Sequence, residues 1–234
     1  MIQTGYLKSF FNEDGEAVTF FKAQPALTYS SLRELFNNIE KDIQKIPEKK
    51  RVNLFYTVAH HLEGQRKFKS WQAQDIVPID LDGIDLDRYH EYPPLVAKAL
   101  GIDLKKCAVV YSGNGLHILI QVKLWSDKDY IKKAKRGYRQ LLERIKAACD
   151  EKGLALNIDS TAWDYARILR VPFTVNEKTK DGKKITKYCK LLSNGLEEQP
   201  LEIPIIEAPA KRSLSVGQFP KPDKLAIMNN CEFM

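Results

Sequence analysis

The chain has 234 residues, 44% hydrophobic and 29% charged, enough apolar material for one large domain or for one domain with an appendage. No apolar run reaches membrane-spanning length and the N-terminus, MIQTGYLKSFFNEDGEA, lacks a basic-then-apolar signal, so a cytoplasmic protein without a membrane partner is expected. The net charge of +7, with a pI near 9.1, points either to a polyanionic partner or to a simple aid to solubility.

In chain order, residues 18–21 read as a short strand. Ser30 or Ser31 then caps a helix over 32–45, with Leu32, Leu35, Phe36, Ile39 and Ile43 on one face. An apolar strand follows over 52–59, then the basic and aromatic loop HHLEGQRKFKSWQAQ. In that loop Arg66, Lys67 and Lys69 are candidate phosphate contacts, and Trp71, with Phe68, a platform for a base. The stretch CAVVYSGNGLHILIQV (107–122) predicts two strands around a Ser-Gly-Asn-Gly turn. A long helix over 128–152 buries Tyr130, Ala134, Tyr138, Leu141, Leu142, Ile145 and Ala148 and turns Lys132, Lys133, Arg136 and Arg139 outward. Residues 156–158 form a short strand ending at Asp159. A hairpin turns at Asp181-Gly182. Past Ser193 the proline-rich sequence predicts a short helix and then a linker. Interleaved strands and helices place the chain in the mixed α/β or α+β class.

Charge is concentrated in two places. Residues 121–152 carry ten Lys/Arg against five acids, and 176–190 carry six lysines against Glu177 and Asp181. Each is either a solvated surface or a track for a phosphate backbone. The four cysteines never form a C-x-x-C pair, so neither a zinc site nor a disulfide framework is expected.

The run IVPIDLDGID (76–85) raises the chemical question. Alternation makes it a strand, and side chains two apart share a face, so Asp80 and Asp82 point the same way. Two carboxylates so placed repel unless a cation lies between them, and loss of either should relieve that repulsion. The acids either sit in water at a strand end before an Asp-Gly turn or form part of a divalent-metal site. Asp85 and Asp87, just beyond, read as exposed loop acids. Glycines in the SGNGLH turn let backbone approach a ligand, with Ser112, Asn114 and His117 as polar groups beside it. Further on, IDSTAWDYARILRVPFTVNEKT sets Asp159 ahead of Arg167, Arg170, a proline, Asn176 and Lys178. Arg167 either joins that group or forms a structural ion pair with Asp164.

In order and spacing these three pieces resemble the motifs of the archaeo-eukaryotic primase superfamily, including the primase-polymerase domains of phages and plasmids. The D-x-D strand end matches Asp80 and Asp82. The serine, small residues and histidine match Ser112 to His117. The acid, the basic residue before proline and the S/T-x-N element match Asp159, Arg170-Val171-Pro172 and Thr174-Val175-Asn176. The resemblance covers about residues 52–192. Two departures stand out: Phe173 replaces the glycine of the R-x-P-G-T form, and the zinc knuckle of many relatives is missing.

The resemblance implies an α+β, two-lobed catalytic core with an RRM-like antiparallel sheet flanked by helices. It implies a DNA primase or primase-polymerase that joins nucleotides on a single-stranded DNA template. Two Mg²⁺ or Mn²⁺ ions would be held by Asp80, Asp82 and Asp159 as catalytic ligands. The NTP or dNTP would be bound by Ser112, Asn114, His117, Arg167, Arg170, Asn176 and Lys178. Residues 1–207 form the catalytic domain, 208–222 a linker and 223–234 the start of a helical module, with a helicase domain as a further partner in a longer protein. The alternatives are a repair or end-joining polymerase of the same fold, or a non-catalytic module that binds single-stranded nucleic acid.

Overall fold

The computed structural model of the protein describes residues 1–11, 17–62, 68–158, 164, 166–180 and 183–205. In chain order the first elements are β1 (Ile2–Phe11), β2 (Ala17–Tyr29), α1 (Leu32–Gln44), β3 (Leu54–Thr57), β4 (His60–His61), β5 (Trp71–Asp82) and α2 (Tyr92–Leu100). There follow β6 (Cys107–Tyr111), β7 (Leu116–Trp125), α3 (Lys128–Asp150), β8 (Asn157–Ile158), β9 (Ile168–Arg170), β10 (Val175–Lys180), β11 (Lys183–Tyr188) and β12 (Lys190–Asn194).

The strands make a sheet in the order β2-β1-β3-β9, a larger sheet in the order β12-β6-β7-β5-β4 with β8 also on β5, and a separate β10-β11 ribbon. Every strand pair is antiparallel, so the class is mixed α+β. Among the described residues no helix is long and apolar enough to cross a membrane.

Local chemistry explains the helices. Ser31 caps α1 by accepting from the Glu34 amide at 3.2 Å, while the Glu34 carboxylate accepts from the Ser30 amide at 2.6 Å, a reciprocal cap. The α1 face Leu32, Leu35, Phe36, Ile39 and Ile43 is buried as its spacing predicts. In α3, Ala134, Tyr138, Leu141, Leu142 and Ile145 are buried, whereas Tyr130 and Ala148 are only half-buried. The Tyr138 hydroxyl donates to the Pro78 carbonyl at 2.6 Å and fastens α3 to β5.

The larger sheet sorts its residues by face. Val77, Ile79, Leu81, Val109, Leu116, Ile118 and Ile120 pack in a core with α2 and α3 residues. Ile76, Ala108, Val110 and Leu119 belong instead to the core shared with α1 and the first sheet. Strand alternation therefore directs Asp80, Asp82 and His117 toward the first sheet, away from the helices.

Several elements differ from expectation. The strand expected at 18–21 is the longer β2, paired with a β1 that the sequence pattern did not reveal. The strand expected at 52–59 is shorter, and β5 begins at Trp71 rather than after a loop. No helix follows Ser193 among the described residues; β12 continues into an irregular segment that buries Leu196, Leu201 and Ile203. Pro200 and Pro204 supply no amide hydrogen there, which works against a helix. The expected linker at 208–222 and module at 223–234 lie outside the described residues.

Candidate functional site

Asp80 and Asp82 end the twelve-residue strand β5, and Gly83 turns the chain at φ +62. A Cβ at Gly83 would meet Nδ2 of the exposed Asn157 side chain at 2.4 Å, which can swing aside, so it is the positive φ that favours glycine there. Asp80 lies directly opposite His117 across the β5–β7 pairing. The Ser112–Gly115 turn is drawn tightly against the end of β5: a Cβ at Gly115 would lie 2.1 Å from the Leu81 carbonyl oxygen and 3.2 Å from Asp82 Oδ1. The glycine thus serves close backbone approach, as the SGNGLH pattern suggests.

Asp80, Asp82, Ser112 and His117 line a cleft of about 160 Å³ together with Phe55, Asn114, Arg167, Arg170, Asn176 and Lys178. Two carboxylates from one strand face three cations from a segment nearly ninety positions downstream in sequence. Arg167 Nη2 donates to Asp80 Oδ2 at 2.9 Å, and both side chains are largely buried. With Asp164, Arg167 shares a backbone contact (its amide to the Asp164 carbonyl, 3.4 Å), and the Asp164 carboxylate accepts from the Ala166 amide. The guanidinium therefore belongs to the cleft.

Asp82 has a different environment. Its side chain is exposed at the strand end; partial desolvation, then the charge of Asp80, raises its pKa, against the opposing charges of His117, Lys178 and Arg167. Among the described residues its carboxylate has neither a hydrogen bond nor an ion pair. His117 Nε2 stands 3.7 Å from Asp80 Oδ1, beyond hydrogen-bond distance. Burial, helped by the nearby Arg167 charge, lowers the imidazole pKa to about 3, so the ring is neutral at physiological pH, and Nδ1 has no partner among the described residues.

Arg170 stacks over the Phe55 ring at 4.7 Å and donates to Asn53 Oδ1 at 2.7 Å; burial lowers its pKa. Asn53, absent from the sequence-derived set, holds this corner. Its φ is +52, its Nδ2 donates to the Glu177 carbonyl at 3.0 Å, and its Oδ1 also accepts from the Glu177 amide at 3.0 Å. Asparagine tolerates that left-handed backbone better than most residues. In sequence it falls inside the strand expected over 52–59, with nothing to single it out.

Two expected ligand contacts are engaged in building the site. The Ser112 hydroxyl donates to the Gly115 carbonyl at 3.2 Å and closes its own turn. Asn176 is buried, and its amide donates to the Ser112 carbonyl at 2.7 Å, leaving Oδ1 unpartnered among the described residues. Asn114 and Lys178 line the cleft, half-buried and exposed respectively. Phe173 has φ +63, a left-handed backbone that a bulky side chain rarely adopts.

Asp159, Arg66 and Lys67 lie outside the described residues. Trp71 is fully buried in the helical-side core, so it offers no face to a base and leaves the candidate DNA-contact set. Its position at the start of a buried strand explains this; the loop reading rested on neighbouring lysines. Lys69 is exposed, and Phe68 is half-buried with Lys128 Nζ 5.2 Å from its ring centroid. Asp85 and Asp87 are exposed, as expected.

The donor chemistry of the cleft suits a divalent cation. Asp82 and the second oxygen of Asp80 are hard anionic ligands, and the raised pKa of Asp82 reflects a charge that a cation would stabilise. Among the described residues no group of three His, Cys, Asp or Glu side chains is placed to hold a metal. The third ligand expected, Asp159, is among those not described.

No protein-family model matches the sequence, and no curated protein matches it. Among solved structures the chain is similar to the AEP domain of the cyanophage S-2L primase-polymerase (PrimPol), with 11% identity, 84% of each chain covered and a TM-score of 0.42. A likeness of that degree carries nothing about the chemistry of this chain.

Proposed function

We propose that the cleft performs template-directed nucleotidyl transfer on single-stranded DNA, as a primase or primase-polymerase. The observation that carries this reading is the convergence of Asp80 and Asp82 with Arg167, Arg170 and Lys178 in one cleft. Carboxylates alone suit a cation and basic residues alone suit a phosphate; the two together suit a metal–triphosphate. In the reaction a 3′-hydroxyl oxygen gives up its proton to solvent and bonds to the α-phosphorus of a nucleoside triphosphate, the bond to the bridging oxygen breaks, and pyrophosphate leaves with that electron pair.

Asp80 and Asp82, with Asp159 as the further candidate, would hold Mg²⁺ or Mn²⁺, which when bound activates the attacking hydroxyl and neutralises the leaving group. Arg167 fixes Asp80 and thereby the orientation of the carboxylate pair. Arg170, held over the Phe55 ring and tethered by Asn53, offers its remaining N–H groups to phosphate oxygens. Lys178 adds a mobile charge at the exposed side. His117 is neutral, so it can donate one N–H to a phosphate without adding charge. Asn176 acts through the Ser112 carbonyl to keep the glycine turn against β5.

A non-catalytic nucleic-acid module is favoured by one observation, the Arg167–Asp80 pair, which already neutralises one carboxylate. Calorimetric titration of a nucleoside triphosphate with and without Mn²⁺ separates the two. On the catalytic reading Mn²⁺ raises affinity at least tenfold in the wild type and not in Asp82→Asn. Equal affinity with and without the metal would overturn it.

A further inference from the structure

The β10–β11 ribbon has two chemically different faces. Directly paired residues on antiparallel strands share a face; Asn176 pairs with Lys187 and Lys178 with Ile185. Asn176 and Lys178 line the cleft, so their face, with Lys183 two positions from Ile185, adjoins it. Lys187 completes the junction: its Cβ would stand 2.8 Å from a Cβ at Gly113, in the glycine turn. The opposite face carries Glu177, Thr179, Lys184, Thr186 and Tyr188. There the charges cancel, with Lys184 Nζ 2.6 Å from Glu177 Oε2.

On the cleft-side face only Lys178 has an acid near it, Asp82, whose pKa its charge lowers. Lys178, Lys183 and Lys187 make no ion pair among the described residues. Between them Ile185 is 41% exposed, a large apolar side chain in a lysine surround. Like charges held together without a counter-charge are unfavourable, and an anion laid along them relieves the repulsion. On β11, Lys183, Ile185 and Lys187 recur at ~6.8 Å, twice the rise per residue of an antiparallel strand, a spacing that the backbone of an extended single strand can follow. The ribbon is a two-stranded sheet of its own, too narrow to present a broad duplex surface.

We infer that the Lys178/Lys183/Lys187 face of the ribbon is the track on which the phosphate backbone of a single-stranded nucleic acid enters the cleft, with Ile185 against a base. This refines the function proposed above and rests on it for the identity of the cleft, but the binding it describes needs neither metal nor nucleotide. It adds the ribbon to the candidate strand contacts; of the loop set Trp71 is buried, Lys69 is exposed, and Arg66 and Lys67 lie outside the described residues.

The test is fluorescence anisotropy of a labelled oligothymidylate over a salt series, without metal or nucleotide. In Lys183→Gln/Lys187→Gln the slope of log affinity against log salt flattens by roughly 1.4, from two lost phosphate contacts at about 0.7 each. Lys183→Arg/Lys187→Arg keeps the wild-type slope. Lys184→Gln, on the neutral face, keeps it too. Lys183 and Lys184 are exposed and Lys187 half-buried, and unchanged thermal melts would confirm that the fold is intact. A wild-type slope in Lys183→Gln/Lys187→Gln, or an equal flattening in Lys184→Gln, overturns the inference. If the wild type binds with a ribbon-dependent slope yet incorporates no nucleotide, the track stands and the catalytic reading fails.

Discussion

Arg167 donates to Asp80 at 2.9 Å across 87 positions of sequence, whereas Asp82, two residues from Asp80, has neither a hydrogen bond nor an ion pair among the described residues. The two acids that look equivalent in the D-x-D pattern are therefore electrostatically different, and mutation should separate them.

Spacing alone predicts that losing either acid relieves repulsion. With the Arg167 pair in place, that holds for Asp82 only. Asp80→Ala leaves a largely buried guanidinium without its carboxylate and should cost about 3 kcal/mol, the low end for breaking a buried pair. Asp82→Asn removes an exposed charge that the neighbouring Asp80 disfavours, so its stability should equal or slightly exceed that of the wild type. Urea unfolding at neutral pH measures both. Equal destabilisation by the two substitutions would contradict the pairing.

His117 gives a pH signature. Its folded pKa is about 3 against an ordinary 6.5, so between those values the unfolded chain binds the extra proton. Stability from this group is therefore complete above pH 6.5 and lost as the pH falls toward 3, by up to about 1.4 kcal/mol per pH unit. In His117→Asn the decline over that window should be shallower by this amount. Urea midpoints at a series of pH values report it, and parallel wild-type and mutant curves would mean that the imidazole is not buried in its neutral form.

Gly115→Ala places a methyl where the Leu81 carbonyl stands 2.1 Å away. The turn must retreat from β5, at a cost of about 1–3 kcal/mol typical of overpacking. The expected result is a lower thermal midpoint together with weaker Mn²⁺ binding in calorimetry, because Asp82 Oδ1 lies beside the same methyl. A variant with wild-type midpoint and metal affinity would show that the close approach is not required.

The parts legible in the sequence were those set by local periodicity. The α1 and α3 faces, the β6–β7 pair and the same-face placement of Asp80 and Asp82 follow from periods of 3.6 and 2. What escaped was decided by tertiary contact. Trp71 reads as a loop aromatic among lysines, and only the β5 pairing shows it buried. Asn53 carries no motif; its role arises because β10 and Arg170 both come to it from more than a hundred residues away. Asn176 and Ser112 were read as ligand contacts from residue type, and their observed hydrogen bonds depend on how the glycine turn meets β10. The two faces of the ribbon likewise needed its register, since composition gives only a total of lysines.

The most direct measurement of the central claim is incorporation of labelled nucleotide on single-stranded DNA, with and without a primer, in Mg²⁺ or Mn²⁺ and in chelator. The wild type should incorporate nucleotide only when the metal is present, and Asp82→Asn, folded and at least as stable, should lose at least a hundredfold in rate, in the range expected when transition-state charge stabilisation is removed. Absence of incorporation by the wild type in either metal, or an Asp82→Asn rate near that of the wild type, would contradict the assignment of this cleft to nucleotidyl transfer.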